Sequence, residues 1–120
     1  MAAIKAMGSA VILAMLCGIA QAQQTWVAVA DDGDRYFGYA VGMASREAAE
    51  GAALGSCGSG CSVKLTAIAR CVAYAHSDTG HASGYSAGVD LDVVRQMAWS
   101  DCNRRVPANS CTVRVAQCWQ

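Results

Sequence analysis

The sequence predicts an α+β fold: two pseudo-symmetric ββαβ repeats forming one antiparallel-sheet domain with two helices, stapled by disulfides. Four observations predict it. Gly38-Tyr39-Ala40-Val41-Gly42 returns as Gly84-Tyr85-Ser86-Ala87-Gly88, 46 residues later. Each copy follows a short apolar run, Val27-Ala28-Val29-Ala30 and then Val72-Ala73-Tyr74-Ala75. Each precedes an Ala- or Val-rich helical stretch ending at a cysteine, Cys57 and then Cys102. A second cysteine and a β-branched run follow each time, Cys61-Ser62-Val63-Lys64-Leu65 and Cys111-Thr112-Val113-Arg114-Val115. A supersecondary unit repeated in this way sets the architecture.

The elements follow in order. Trp26 to Ala30 alternates large and small residues, as a half-buried strand does. Asp31-Asp32-Gly33-Asp34 reads as a turn, because Asp and Gly tolerate the positive φ of tight turns. Arg35 to Val41 returns as the second strand, with Gly38 and Gly42 marking a bulge or a close approach of another element. Ser45 is suited to cap a helix over 46–56, and Glu47 and Glu50 suit the positive end of its dipole. Ala49, Ala53 and Cys57 share one face of that helix. Gly51 and Gly55 each weaken it by roughly 1 kcal/mol, so packing or a disulfide must hold it. Gly58-Ser59-Gly60 ends it, and residues 62–69 form a strand.

The second copy repeats the pattern. Val72 to His76 is a strand, Ser77-Asp78-Thr79-Gly80 a turn, and Ala82 to Ala87 the returning strand. Asp90 caps a helix over 91–102 whose Leu91, Val94, Ala98 and Cys102 share a face. A loop over 103–110 holds the single proline, Pro107, and strand 111–118 closes the domain. No linker separates the copies, so repeat 1 (about 26–71) and repeat 2 (about 72–119) belong to one domain.

The ends bound the compartment. Lys5 is the only charge before Asp31, residues 6–20 form an apolar run, and Ala20-Gln21-Ala22 is a cleavage signature. Residues 1–22 therefore read as a secretory signal peptide, removed from a mature domain over 23–120. The apolar run is short of the roughly 20 residues that span a bilayer, and Leu16 before Cys17 does not suit lipid attachment. The expected product is periplasmic or secreted, with no stable membrane anchor after cleavage.

Cleavage removes Cys17 and leaves Cys57, Cys61, Cys71, Cys102, Cys111 and Cys118. Six cysteines in a small exported chain read as three disulfides, with fifteen possible connectivities. The simplest framework ties each helix end to its following strand, Cys57–Cys61 and Cys102–Cys111, and links the two halves through Cys71–Cys118. Cleavage also removes Lys5, so eight basic residues face nine acidic ones. That balance lacks the basic patch that nucleic acid requires.

The opening Trp26-Val27-Ala28-Val29-Ala30, the segment Gly38-Tyr39-Ala40-x-Gly42 and the helix start Ser45-Arg46-Glu47-Ala48-Ala49 resemble the domain of unknown function 4189 family. Cys57, Cys61-x-Val63 and Cys71-x-Ala73 continue the likeness, which covers nearly all of 26–118. The second copy departs more, since Leu91-Asp92-Val93-Val94 lacks the Arg/Glu-Ala helix start. The resemblance implies a secreted or periplasmic disulfide-bonded domain. It transfers no catalytic residues. Some members of the family look like exported effectors, and others sit in settings that suggest immunity or inhibitor proteins.

Sequence offers few constellations that carry chemistry. His76 and His81 flank the second turn at a spacing that would let them share a metal, but no further ligand joins them, and exposed hairpin histidines are the simpler expectation. Asp31, Asp32 and Asp34 lack the loop spacing of a calcium site. No metal or cofactor is expected. Ser77, Ser83 and Ser86 lie near a histidine in sequence without a hydrolase signature. Glu47 and Glu50 fit dipole compensation better than a glycosidase pair.

Eight aromatic residues remain. Tyr39 and Tyr85, as repeat mates, are expected to share a core role. Tyr36 and Phe37 are adjacent in a strand and point to opposite faces, so one of them is outside. Asp34, Arg35 and Tyr36 are the first candidate contact surface, and Arg104 and Arg105 in the 103–110 loop the second. The expectation is a non-catalytic exported protein-binding module, an immunity or inhibitor-type protein against a toxin or a cell-wall hydrolase. A secreted effector acting on another cell and a small envelope enzyme are the alternatives.

Overall fold

The computed structural model describes residues 24–120; the expected signal peptide lies outside the described residues. The first repeat gives β1 (Trp26–Asp31), β2 (Phe37–Met43), α1 (Arg46–Cys57) and β3 (Ser62–Ile68). The second gives β4 (Cys71–Ser77), β5 (Ala82–Gly88), α2 (Leu91–Asn103) and β6 (Thr112–Cys118). The ββαβ-ββαβ order expected from sequence is therefore present. Both helices start as their caps dictate: Ser45 Oγ accepts the Ala48 N–H at 3.1 Å, and Asp90 Oδ1 accepts the Val93 N–H at 3.1 Å.

The strands are divided between two antiparallel sheets, ordered β2-β1-β3 and β5-β4-β6. Register shows how closely the copies correspond. Ala30 pairs with Gly38 as Ala75 pairs with Gly84, and Asp31 pairs with Phe37 as His76 pairs with Ser83. The ladder to the third strand is irregular at the same step in both, between Val29 and Ala30 and between Tyr74 and Ala75. β1 faces β4, β2 faces β6 and β3 faces β5. That exchange is what a pseudo-two-fold axis between the repeats produces.

Four layers result: α1, its sheet, the second sheet, and α2. In β1, Ala28 and Ala30 pack against Ala49, Ala53 and Cys57 of α1, while Val27 and Val29 face the other sheet. In β4, Ala73 and Ala75 pack toward Val94, Ala98 and Cys102 of α2, while Val72 and Tyr74 face inward. Successive side chains point to opposite sides of a strand. Both sides of β1 and β4 are covered here, so small residues face the helices and larger ones fill the space between the sheets. The helices come closest at two glycines. A Cβ on Gly38 would overlap Ala53 O and Cys57 N, and one on Gly84 would overlap Ala98 O and Cys102 N.

The disulfides are Cys57–Cys61, Cys102–Cys111 and Cys71–Cys118. The first two tie helix ends to strands as expected. Cys71–Cys118 does not link the two halves. Cys71 is the first residue of β4 and pairs directly across the ladder with Cys118 of β6, so the bond staples the second sheet alone. The corresponding pair of the first sheet is Trp26 with Ile68. Between the repeats, the core and the chain at 69–70 do the joining. Three disulfides suit an oxidising compartment, extracellular or periplasmic. Among the described residues, no helix is long and apolar enough to cross a membrane.

Candidate functional site

Alternation along the two central strands does not stop where the apolar residues stop. Val27 and Val29 are followed in phase by Asp31, and Val72 and Tyr74 by His76. Both polar side chains are therefore carried into the space between the sheets. Asp31 is 1% exposed and His76 3%. Asp31 was expected in an open turn and His76 on an exposed hairpin. Each strand runs one residue past its expected end, and sheet-on-sheet packing buries that end.

Asp31 Oδ2 accepts three hydroxyls: Tyr74 at 3.0 Å, Ser83 at 2.9 Å and Tyr85 at 3.1 Å. The Tyr74 ring lies 5.0 Å from Phe37, 5.7 Å from Tyr85 and 6.3 Å from the His76 ring. Ser83 Oγ also stands 3.0 Å from His76 Nδ1. A hydroxyl has one hydrogen, and that of Ser83 goes to the carboxylate, which can only accept. The imidazole Nδ1 therefore donates to Ser83. A directed chain runs from His76 through Ser83 to Asp31, leaving His76 Nε2 and Asp31 Oδ1 buried without a hydrogen-bond partner.

Both phenols are held protonated. Burial pushes the Tyr85 hydroxyl up to about 12, with the Asp31 charge adding to the effect. Burial raises Tyr74 further still, helped by Asp31 and opposed by its contact with Ser83. Tyr39, the repeat mate of Tyr85, shares none of this. It is exposed, and the expected common core role of the two tyrosines does not hold. Both strands are sheet edges, but the Tyr39 ring lies outside the inter-sheet core that takes in Tyr85.

Above this cluster the two hairpin turns meet. Asp32 Oδ1 accepts the N–H groups of Asp34, Arg35 and Tyr36 at 2.9–3.0 Å, and the Asp34 N–H leads in holding its carboxyl below the usual range. That rigid turn presents Asp34 and Arg35 to Asp78 and Arg114 of the second repeat around an open cavity of about 330 Å³. Asp78 Oδ2 accepts from Arg114 Nη2 at 2.9 Å, and its Oδ1 lies 3.6 Å from His76 Nε2. His81, exposed and at φ +53°, reaches Asp34 at 3.9 Å. Tyr36 is exposed with Arg35 over its ring, and Phe37 is turned inward, as the two-face argument requires. Among the described residues, no group of three or more histidine, cysteine or acidic side chains is placed to hold a metal.

The second candidate surface is separate. Arg104 pairs with Asp101 and lines a cavity of about 440 Å³ with Tyr85, Gln96, Met97, Ser100 and Asp101. Arg105 also meets Asp101 and donates to the Ser83 carbonyl, so its guanidinium braces β5. The fold thus assigns Asp34, Arg35 and Tyr36 to the turn end and Arg104 to the face of α2.

A family model described as a domain of unknown function, DUF4189, matches residues 26–118. The chain belongs to the DUF4189 family. Comparisons with curated proteins and with solved structures returned no match. In this DUF4189 domain the buried cluster escaped the sequence reading for a definable reason. Asp31 and Ser83 are 52 residues apart, and only the packing of one repeat on the other joins them. A signal was present all the same. Aligning the repeats on Ala30 and Ala75 makes Asp31 and His76 equivalent, each in phase with the inward-facing residues before it.

Proposed function

We propose that this DUF4189 domain is an exported, non-catalytic protein-binding module whose contact surface is the end where the two hairpin turns meet. One observation carries the reading: the Asp32-pinned turn holds Arg35 beside Asp78 and Arg114 of the other repeat, with exposed Tyr36 against Arg35. Tyr and Arg dominate binding hot spots, and a surface ordered before binding loses less entropy on association. Six cysteines in three disulfides and the apolar, A-x-A-terminated segment 1–22 support export. The partner class we favour is an exported toxin or cell-wall hydrolase, with the turn end acting as an inhibitor-type plug.

A small envelope hydrolase is the second reading, favoured by the 3.0 Å approach of Ser83 to His76. The hydrogen-bond direction weighs against it. Ser83 gives its hydrogen to Asp31 and accepts from the imidazole, the reverse of what activates a nucleophile. Its oxygen is also packed beneath the turns rather than in a cleft.

The test uses the exported, oxidised protein as bait against envelope and culture fractions, followed by binding and inhibition assays with the purified partner. A stoichiometric exported partner whose binding falls at least ten-fold with Arg35→Glu or Tyr36→Ala supports the module. Binding indifferent to both substitutions, or no partner in either fraction, overturns it. Hydrolysis abolished by Ser83→Ala in a folded variant moves the assignment to the enzyme.

A further inference from the structure

We propose that the cavity between the hairpin turns is a carboxylate-binding site, occupied in the free protein by Asp78 and taken over by an acidic segment of a protein partner. The proposal rests on the binding-module reading and adds the chemistry of what is bound.

Asp78 sits as a bound carboxylate would, with one oxygen on a guanidinium and the other turned toward the His76 ring. Oδ2 takes the Arg114 guanidinium at 2.9 Å, and Oδ1 faces His76 Nε2 at 3.6 Å. The second distance exceeds that of a hydrogen bond, so Asp78 leaves Nε2 unsatisfied. His76 is nine-tenths buried or more, and its Nδ1 is committed to Ser83 and through it to Asp31. The ring therefore cannot turn to seek another partner, and Nε2 is held buried behind Asp78. Asp78 itself is 71% exposed and short-tethered at a turn. Exposed ion pairs of this kind open at little cost.

Arg35 completes the site. It lines the same cavity, and none of the ion pairs among the described residues engages it. With Asp78 in place, the lining carries two guanidinium groups and two carboxylates. With Asp78 swung away, Arg35 and Arg114 face Asp34 alone, and the net charge of the lining becomes positive. One added carboxylate restores the balance. Asp34 stays in the lining, so a dianionic phosphate meets a like charge that a single carboxylate compensates better. A guanidinium suits a carboxylate in a two-point fork.

The test is a nuclear magnetic resonance titration of the full exported protein with the blocked peptide acetyl-Gly-Glu-Glu-Gly-amide. Its Gln-Gln counterpart and inorganic phosphate serve as comparisons. The readouts are the arginine side-chain N–H signals and the His76 ring. The glutamate peptide should shift Arg35, Arg114 and His76 saturably, and the glutamine peptide should not. Asp78→Asn should tighten binding about five-fold or more, because the open site no longer competes with its own carboxylate. Arg114→Gln should weaken it by a similar factor. Equal response to the glutamine peptide, a stronger response to phosphate, or unchanged affinity in Asp78→Asn overturns the proposal. So does the absence of saturable shifts in both wild type and Asp78→Asn. The two readings fail separately. A partner lost with Tyr36→Ala but indifferent to Asp78→Asn and Arg114→Gln leaves the module standing without this site. Peptide binding with no partner in any fraction leaves the site standing without the module.

Discussion

Asp31 and His76 hold the same position in the two repeats, and one serine joins them. Ser83 Oγ lies 2.9 Å from Asp31 Oδ2 and 3.0 Å from His76 Nδ1. The pseudo-two-fold axis brings equivalent strand ends together, and the sequence has made them unlike, one anionic and one basic. Phe37, the repeat mate of Ser83, fills its place with an aromatic ring against Tyr74. A symmetric frame thus carries an asymmetric polar core.

Removing the Asp31 carboxylate should leave three hydroxyls without their acceptor, those of Tyr74 and Ser83 buried and that of Tyr85 partly so. Each unsatisfied buried group costs about 1–3 kcal/mol, and partial rearrangement recovers some of it. Asp31→Ala is therefore expected to lower stability by about 3 kcal/mol in denaturant unfolding with the disulfides intact. A double-mutant cycle with Ser83→Ala should show a coupling of about 1–2 kcal/mol. Strict additivity would mean that the chain through Ser83 contributes nothing.

Alkaline pH should unfold the domain through its two inward tyrosines. In the fold the Tyr85 phenol is raised to about 12, whereas in an unfolded chain it ionises near 10. As pH rises, the unfolded state therefore loses its proton first. Stability is whole below about pH 10, declines between about 10 and 12, and is gone from this source above that. Tyr74 is shifted the same way and adds to the decline. Unfolding free energies across this window should fall steeply in the wild type and less steeply in Tyr85→Phe. Phenolate absorbance, as a wild-type minus Tyr85→Phe difference, should show the late midpoint.

Gly38 and Gly84 should be equally intolerant of a side chain. At both, a Cβ would collide with helix backbone, which cannot swing aside as a flexible side chain does. Gly38→Ala and Gly84→Ala are each expected to cost about 2–4 kcal/mol, the range of overpacked cores. Gly51→Ala is the informative contrast. Its Cβ would meet nothing within 4 Å, and replacing a helical glycine should stabilise by up to about 1 kcal/mol. Thermal unfolding of the three variants gives the comparison.

The disulfides should rank by the chain they enclose. Cys71–Cys118 closes a separation of 47 residues and Cys57–Cys61 one of 4. Loop-closure entropy predicts about 4 kcal/mol for the first and about 2 kcal/mol for the second. Replacing each pair by alanine and comparing denaturation midpoints checks the order. The larger loss should also be local to the second sheet, so hydrogen exchange should rise in β4 and β6 before β1 and β3.

Local signals carried most of the architecture. Ser45 and Asp90 announced the helix starts, Gly58 an end, and period-two alternation the strands. The repeat at Gly38 and Gly84 tied them into equivalent units. Helix-end and strand-start cysteines, four and nine residues apart, paired as their proximity suggested. Cys71 and Cys118 were also rightly matched, yet their place in one sheet depended on the β4–β6 register, which the sequence does not print.

By itself, then, the sequence determined the elements, their order, their pairing into two similar units and the family. Those properties arise from residues within a turn or a strand of one another. Only the tertiary structure decided that the units pack sheet to sheet, because that choice depends on two whole faces being apolar and complementary at once. The same packing turned Asp31, expected in a turn, and His76, expected on an exposed hairpin, into the buried ends of one hydrogen-bonded chain. It also set Arg35 beside Asp78 and Arg114, residues from opposite halves of the chain that share a cavity only once the interface between the halves has formed.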